Sequence, residues 1–434
     1  MAWRDHRCAA RRKRFRLRPL LPRARPEPDR RRDLCRREEP ALAPRQGARA
    51  VDGTAEARRV NAAVPLALYV HWPWCVRKCP YCDFNSHESA PQEAAYLAAL
   101  IADLEAALPA IRGRPIVSVF IGGGTPSLMA GATVDALLAA LRMRLPLLPE
   151  AEITLEANPG TAEADRFKAY RAAGVNRLSL GIQSFDDRKL AALGRIHSGD
   201  EARRAIELAR RHFERVNLDL MYALPEQTLA EARHDIDTAI ATGVPHLSAY
   251  HLTPEPNTAF HHAPPPLPDD DLAADMQDMV EDSLAAAGFE HYETSAFAKA
   301  GQRCRHNLNY WSFGDYLGIG AGAHSKLSDH AGIRREARPR HPEDYLADPV
   351  SRNWQPVAQA DLPGEFMMNA LRLTGGVPLA WFSERTGLPL ATIEKSALAG
   401  RQQGLLEVVD GNLRPTALGR RFLNRLIGLF LNDA

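Results

Sequence analysis

The chain has 434 residues, 45% of them hydrophobic, and a formal net charge of +2. This length suggests two or three domains with enough apolar material for a substantial core. Residues 1–60 carry 19 Lys and Arg against 8 Asp and Glu, so the remainder is mildly acidic and requires no nucleic-acid partner. No apolar run approaches about 18 residues, and no membrane span is therefore expected.

Residues 1–60 are rich in Arg, Pro and Ala and show no apolar periodicity. Such a composition predicts a disordered extension, with a nucleic-acid-binding arm or a transit peptide as the alternatives. Three of the six cysteines fall within eight positions, and no secretory signal precedes them. This pattern favours a cytoplasmic location and metal binding over disulfides.

From Pro65 onward, short apolar runs alternate with segments of helical periodicity. The predicted strands cover residues 66–71, 116–121, 152–156, 177–182, 216–221 and 246–252. The predicted helices include 161–173, 198–213, 228–242 and 270–287, and residues 291–297 form another strand-like run. Six βα units in series predict an α/β fold with a parallel sheet, a partial (βα)6 TIM-like barrel over residues 61–300.

Residues 301–360 form a connecting region, and residues 361–434 a small C-terminal α/β domain. A helix over 391–403 is followed by two short apolar runs that an Asp410-Gly411 turn joins, which predicts a winged-helix-like module. Its arginines form no stripe, so a lid or a partner-docking surface is favoured over DNA binding.

The chemically distinctive residues follow the predicted strands, where α/β barrels carry their functional sites. Cys75 follows the first strand, and the run Gly122-Gly123-Gly124-Thr125-Pro126 follows the second. The later strands end at Glu156, Gln183, Asp219 and the pair Tyr250-His251.

Cys75, Cys79 and Cys82 have the spacing C-x3-C-x2-C. Three thiolates this close can hold three irons of a [4Fe–4S] cluster and leave the fourth iron open to another ligand. A zinc ion with His71 or His87 as the fourth ligand is the alternative.

This cysteine spacing, the aromatic Tyr81 before the third cysteine and the GGGTP run together resemble the radical S-adenosylmethionine (SAM) superfamily. The resemblance implies that SAM binds the open iron and that the reduced cluster can cleave it. It also implies a set of SAM contacts, which are Tyr69, Tyr81, Gly123, Gly124, Thr125, Glu156, Gln183, Arg195, Asp219 and His324. At His324, the backbone rather than the side chain is a possible contact.

Further motifs resemble the oxygen-independent coproporphyrinogen III oxidase family: YVHWPWC, EANP, LGIQSF, NLDLMYALP and HNLNYW. The oxidases of that family have another cysteine two places after the third cluster ligand, where this chain has Phe84. The family's heme-chaperone branch lacks that cysteine and carries an HNxxYW motif, formed here by His306, Asn307, Tyr310 and Trp311. The resemblance therefore favours a heme chaperone, with oxidative decarboxylation of coproporphyrinogen III as the alternative.

For the chaperone, the resemblance implies heme as cargo and acceptor heme proteins as partners, among them respiratory enzymes that can be membrane-associated. His306 is the candidate axial ligand, and Tyr310 and Trp311 could pack on a porphyrin face. The structural alternative is a hydrogen-bonded His306 that stabilises a loop, with Trp311 in the core. Cys304 is an alternative heme thiolate, although a buried structural thiol is favoured.

Overall fold

The computed structural model describes residues 64–161 and 164–431. The predicted N-terminal extension, with Cys8 and Cys35, lies outside the described residues. The strands in chain order are β1 (Leu66–Trp72), β2 (Trp74–Cys75), β3 (His87–Glu88), β4 (Ile116–Gly123), β5 (Leu147–Ala157), β6 (Arg177–Gln183), β7 (Arg215–Tyr222), β8 (His246–His251), β9 (Glu290–Glu293), β10 (Ala296–Ala298), β11 (Asp315–Ile319), β12 (His324–Asp329), β13 (Gly332–Ala337), β14 (Gln355–Pro356), β15 (Val377–Pro378), β16 (Leu406–Val409) and β17 (Asn412–Pro415).

The helices, apart from two 3-10 turns at Pro126–Leu128 and Pro159–Thr161, begin and end at the following residues. They are α1 (Glu93–Ile111), α2 (Gly131–Arg144), α3 (Ala164–Ala173), α4 (Asp187–Ala192), α5 (Gly199–His212), α6 (Leu229–Ala241), α7 (Ala259–His262), α8 (Asp270–Ala286), α9 (Arg305–Trp311), α10 (Pro342–Ala347), α11 (Leu362–Ala370), α12 (Ala380–Thr386), α13 (Ala391–Gln402), α14 (Ala417–Arg421) and α15 (Leu423–Gly428).

The main sheet has twelve strands in the order β14-β13-β12-β11-β1-β4-β5-β6-β7-β8-β10-β9. Its centre is a parallel run from β1 through β4, β5, β6 and β7 to β8, which confirms the predicted partial barrel. A seventh parallel strand, β11, was not predicted; it pairs with β1 on the side opposite β4. The strand-like run 291–297 is in fact an antiparallel hairpin of β9 and β10, because a turn interrupts it.

Burial explains why these segments form barrel units. The strands carry apolar residues on both faces, as expected where helices cover a parallel sheet; in β1, six of seven residues are buried. Helices α5 and α6 each begin with a capping box, Ser198 with Glu201 and Thr228 with Glu231. These caps end the preceding loops at defined positions and so fix where the barrel helices start.

Helix α1 has the length and apolar composition that would suffice to cross a membrane. In the described chain it lies on the barrel, with the side chains of Tyr96, Leu100 and Leu104 at most 2% exposed. This is the packing of a core helix on a sheet.

Near the C-terminus, β15, β17 and β16 form a three-stranded antiparallel sheet with helices around it. The turn between β16 and β17 has positive φ at Asp410 and Gly411, 51° and 77°, as a two-residue hairpin turn requires. The hydrophobic core of this module includes Trp311 and Phe313 from the end of α9. The module therefore shares its core with the segment that carries the HNxxYW motif.

Candidate cluster and cofactor site

The segment with the three cysteines lies across the C-terminal end of the barrel. Within it, β2 pairs with β3, so that Cys75 lies opposite Glu88. The backbone N–H groups of Gly124 and Thr125 donate to the carbonyl oxygens of Trp72 and Trp74 at 2.6 and 2.7 Å. The GGGTP run after β4 thus holds the cysteine segment in place.

Close packing of this kind explains two of the glycines. A Cβ atom at Gly124 would lie 2.4 Å from the Trp74 carbonyl oxygen, and one at Gly123 would lie 2.7 Å from that of Trp72. Gly123 also has φ +119°, a conformation that L side chains rarely adopt. The packing therefore requires glycine at both positions, whatever the backbone binds on its other side.

A chain of hydrogen bonds joins two of the cysteines through side chains from three barrel units. The Thr125 hydroxyl donates to Cys75 Sγ at 3.5 Å, and Asn158 Nδ2 donates to Thr125 Oγ1 at 3.0 Å. Arg195 Nη2 donates to Asn158 Oδ1 at 2.7 Å, and its Nη1 donates to Cys79 Sγ at 3.7 Å. Asn158, in the middle of this network, belongs to the EANP motif. It was not among the site residues predicted from the sequence.

The donor set fits an iron–sulfur cluster better than a single metal ion. Cys75, Cys79 and Cys82 are free, half-buried thiols, and burial raises the pKa of Cys82 to about 11. Among the described residues, no three Cys, His, Asp or Glu side chains are arranged to hold one ion. A four-iron cluster binds each thiolate to a different iron and so accepts thiols that are spread apart. His71 is not free to complete a zinc site, because both its ring nitrogens are hydrogen-bonded.

Two half-buried carboxyl groups lie on barrel strands, Glu156 on β5 and Asp219 on β7. Glu156 accepts a hydrogen bond from the Gly123 N–H at 3.1 Å, and Asp219 accepts from Ser179 Oγ at 2.8 Å. Burial raises the pKa of Glu156 to about 7, and the charge of Asp219 adds to the effect. Burial likewise raises the pKa of Asp219. A cation bound between these groups would favour their ionised forms.

Arg195 has an unused donor at the same end of the barrel. Besides its bonds to Asn158 and Cys79, it donates to the Gly181 carbonyl oxygen at 2.6 Å. Its buried Nε has no partner among the described residues. A buried donor of this kind can accommodate an acceptor from a ligand, such as a carboxylate.

The remaining predicted SAM contacts lie around this end of the barrel. Tyr69, on β1, donates to or accepts from His71 Nδ1 at 2.9 Å, and His71 Nε2 lies 2.7 Å from the Asn85 carbonyl oxygen. The Tyr81 ring packs 6.4 Å from that of Phe260. These contacts connect the barrel interior to the segment that follows the third cysteine.

Gln183 and His324 complete the predicted set. Gln183 ends β6 with φ +67°, a left-handed conformation that is costly for a residue other than glycine and is common at functional sites. His324 starts β12, and its backbone lies against Gly318, where a Cβ would meet the His324 carbonyl oxygen at 2.2 Å. Burial lowers the pKa of His71 to about 4, and the half-buried His324 adds a smaller effect in the same direction.

The HNxxYW segment approaches the same barrel interior from the other side, and the His306 ring lies 6.4 Å from that of Tyr69. His306 enters the barrel from the N-terminal ends of the strands, with Nδ1 3.1 Å from Ser118 Oγ and its ring 4.9 Å from that of Phe120. The N–H groups of Arg305 and His306 both donate to the buried Glu152, at 2.9 and 3.3 Å. Burial lowers the pKa of His306 to about 3, which keeps the imidazole neutral.

The other residues of this segment have different surroundings. Asn307 is half-buried, and the Tyr310 ring lies 4.9 Å from that of Tyr316. Trp311 is 1% exposed and lies under the Arg372 guanidinium at 4.3 Å. A porphyrin could reach Trp311 only if this core opened.

Cys304 is a buried thiol within hydrogen-bonding distance of Glu152, at 3.4 Å. Burial raises its pKa to about 12, so it is a weak source of thiolate. This environment is that of the structural thiol favoured from the sequence.

Comparison with known proteins agrees with this architecture. The Radical SAM superfamily model matches residues 69–239, and the HemN C-terminal domain model matches residues 357–422. The solved coproporphyrinogen III oxidase HemN of Escherichia coli superposes with a TM-score of 0.73 at 23% identity, covering 88% of this chain and 93% of that chain. The chain is therefore a radical SAM protein with the HemN fold.

Sequence relatives identify the family within that class. The heme chaperone HemW of Escherichia coli is 48% identical over 85% of this chain and 99% of its own length. The HemW of Mycobacterium tuberculosis H37Rv is 36% identical over 85% of this chain and 95% of its own length. The chain belongs to the HemW family of heme chaperones. Membership of the radical SAM superfamily implies a [4Fe–4S] cluster and SAM.

Proposed function

We propose that this protein binds heme as cargo and passes it to acceptor heme proteins in the cytoplasm. The observation that carries the proposal is the complete HNxxYW segment, His306 to Trp311, in a chain of the HemW family that has Phe84 at the position of the oxidases' extra cysteine. The half-buried Phe84 side chain provides no sulfur at that position.

The three thiols, Cys75, Cys79 and Cys82, would hold the [4Fe–4S] cluster, which supplies an electron to SAM bound at its open iron. The unused Nε of Arg195 suits the carboxylate of SAM. Glu156 and Asp219 suit its amino group and ribose hydroxyls. Tyr69, Tyr81, Gly123, Gly124, Thr125, Gln183 and the backbone of His324 would complete the pocket.

His306 is the proposed axial ligand to the heme iron. The contact between its Nδ1 and Ser118 leaves Nε2 as the nitrogen for coordination, and its low pKa keeps the imidazole unprotonated at neutral pH. Because His306 is only 9% exposed, heme reaches it through the barrel interior or after displacement of α9. Asn307 and Tyr310 are half-buried beside it and are the proposed secondary contacts.

The C-terminal module is the proposed docking surface for an acceptor. The module shares its core with Trp311, the last residue of α9, so a movement of α9 would change the packing of the module. Acceptors in the membrane, such as respiratory enzymes, would bind to the surface of this module.

Heme titration tests this assignment. The protein with its cluster reconstituted under anaerobic conditions is titrated with heme and followed by the Soret band. We expect saturable binding, and a loss of affinity of at least about tenfold in His306→Ala, because one coordination bond is removed. His330→Ala, at an exposed histidine, is the control. Unchanged titration of His306→Ala, with intact iron content, would remove His306 from the site.

A further inference from the structure

A cavity of about 440 Å³ opens at the N-terminal end of the barrel, the end opposite the three cysteines. Five arginines from four elements line it. They are Arg171 of α3, Arg210 and Arg211 of α5, Arg215 of β7 and Arg305 of α9. Separate parts of the fold thus bring five guanidinium groups to one hollow.

The cavity has an excess of positive charge. Glu150 and Glu214 also line it, so the formal charge of its Arg and Glu side chains is +3, with His212 neutral. The C-terminal end of α5 contributes about half a negative charge from the helix dipole. That is too little to offset the arginines, and the hollow favours an anion.

Two of the five arginines are already engaged. Arg215 Nη1 lies 3.3 Å from Glu152 Oε2, and Arg305 Nη1 donates to the Glu150 carbonyl oxygen at 2.6 Å. By contrast, the side chains of Arg171, Arg210 and Arg211 form no ion pair or hydrogen bond with any residue of the described chain. Basic residues in a last helical turn stabilise the helix, and Arg210 and Arg211 lie in the last turn of α5. Arg171 occupies the same position in α3, so the helix dipole stabilises each of the three separately. It does not explain why residues from α3 and α5 converge on one hollow, where their like charges repel each other.

We infer that this cavity binds an oligophosphate, such as pyrophosphate or the terminal phosphates of a nucleotide. Guanidinium groups offer paired N–H donors that match phosphate oxygens. The cavity volume lies in the range of small-molecule sites, roughly 300–1,000 Å³. One water occupies about 30 Å³, so the cavity has room for more than a single phosphate ion. The lining is largely charged, with the buried Phe213 as its one apolar side chain, so it does not suit the apolar face of a porphyrin.

Calorimetric titration with pyrophosphate at constant ionic strength tests the inference on the full chain. We expect one saturable site, with affinity reduced about a hundredfold in Arg210→Gln/Arg211→Gln, at roughly tenfold for each lost guanidinium. The control Arg204→Gln/Arg401→Gln removes the same charge from exposed positions outside the cavity and should bind as the unaltered chain does. Absence of saturable binding, or equal weakening in both variants, would overturn the site.

Citrate distinguishes the phosphate from a carboxylate ligand. We expect citrate to bind the unaltered chain at least about tenfold more weakly than pyrophosphate; equal affinity would overturn the assignment to phosphate. These titrations use no heme, SAM or cluster. Their failure would therefore leave the proposed heme function untouched, and failure of the heme titration would leave this site untouched.

Discussion

Each end of the barrel carries a carboxyl group from strand β5, and the two differ in how many hydrogen bonds the protein gives them. At the N-terminal end, Glu152 is 1% exposed and accepts from the N–H groups of Arg305 and His306, with the guanidinium of Arg215 3.3 Å away. At the C-terminal end, Glu156 has one hydrogen bond from the described chain, from Gly123.

Two basic side chains, His246 and Arg195, differ in the same way. His246 near the N-terminal end contacts Asn217 and Tyr292 at 2.6 and 2.9 Å, whereas Arg195 at the C-terminal end retains a buried donor without a partner. A saturated polar network stabilises a fold, and an unsaturated one leaves room for a ligand. The hydrogen bonds of Glu152 therefore hold the start of α9 in place, whereas Glu156 and Arg195 keep capacity for a cofactor. The N-terminal end is not saturated throughout, because Gln302 Oε1 and Asn309 Oδ1 are buried there without a partner among the described residues.

The largest expected effect separates the thiols of the two ends. Cys79→Ser should abolish the [4Fe–4S] cluster after anaerobic reconstitution, because one iron loses its thiolate. Cys304→Ser, at the buried thiol of the N-terminal end, should retain full iron content. Iron analysis and the visible absorption of the cluster measure both variants. Equal iron loss in both would contradict the assignment of the cluster to the C-terminal end.

The next effect concerns the stability that Glu152 provides. Glu152→Gln removes the carboxylate that lies 4.0 Å from the guanidinium of Arg177, which is 2% exposed. Breaking a buried pair in this way costs about 3–5 kcal/mol of unfolding free energy. Glu150→Gln, two residues earlier and exposed, should change it by less than about 0.5 kcal/mol. Urea unfolding gives both values, and similar stabilities would show that the network is not structural.

The smallest effect is a pH dependence at the C-terminal end. Glu156, with a pKa of about 7, is protonated below that pH and ionised above it. Because the positive groups of SAM favour the carboxylate, affinity for SAM should rise up to about tenfold from about pH 6 to 8. Glu156→Gln should flatten this profile, whereas Glu150→Gln should keep it. Binding to the cluster-loaded protein measures the effect; an unchanged slope in Glu156→Gln would exclude Glu156.

Periodicity and motif spacing predicted the six barrel strands and the end of the barrel that carries Cys75, Glu156 and Asp219. These are local signals, because each residue lies in or directly after the C-terminal part of its own strand. The position of His306 depends on a distant reversal instead. Strand β10 runs antiparallel to β8, with Ala298 opposite His246, and returns the chain to the N-terminal end before α9 begins. No periodicity in residues 290–305 shows that direction.

Other features depend on packing between separate units. Asn158 links Thr125 to Arg195 from three different strand–helix connections, and its motif alone does not show either partner. The left-handed φ of Gln183 is equally hidden, because glutamine has no preference for that conformation. The strand β11 was not predicted either, since its five residues contain glycine and follow a polar segment.

The account rests most directly on whether this chain carries heme or converts a porphyrinogen. The reconstituted protein should be incubated under anaerobic conditions with SAM, a reductant and coproporphyrinogen III, and a parallel sample titrated with heme. We predict saturable heme binding and unchanged coproporphyrinogen III. Formation of protoporphyrinogen IX would contradict the chaperone assignment and show that Phe84 does not prevent the oxidase reaction.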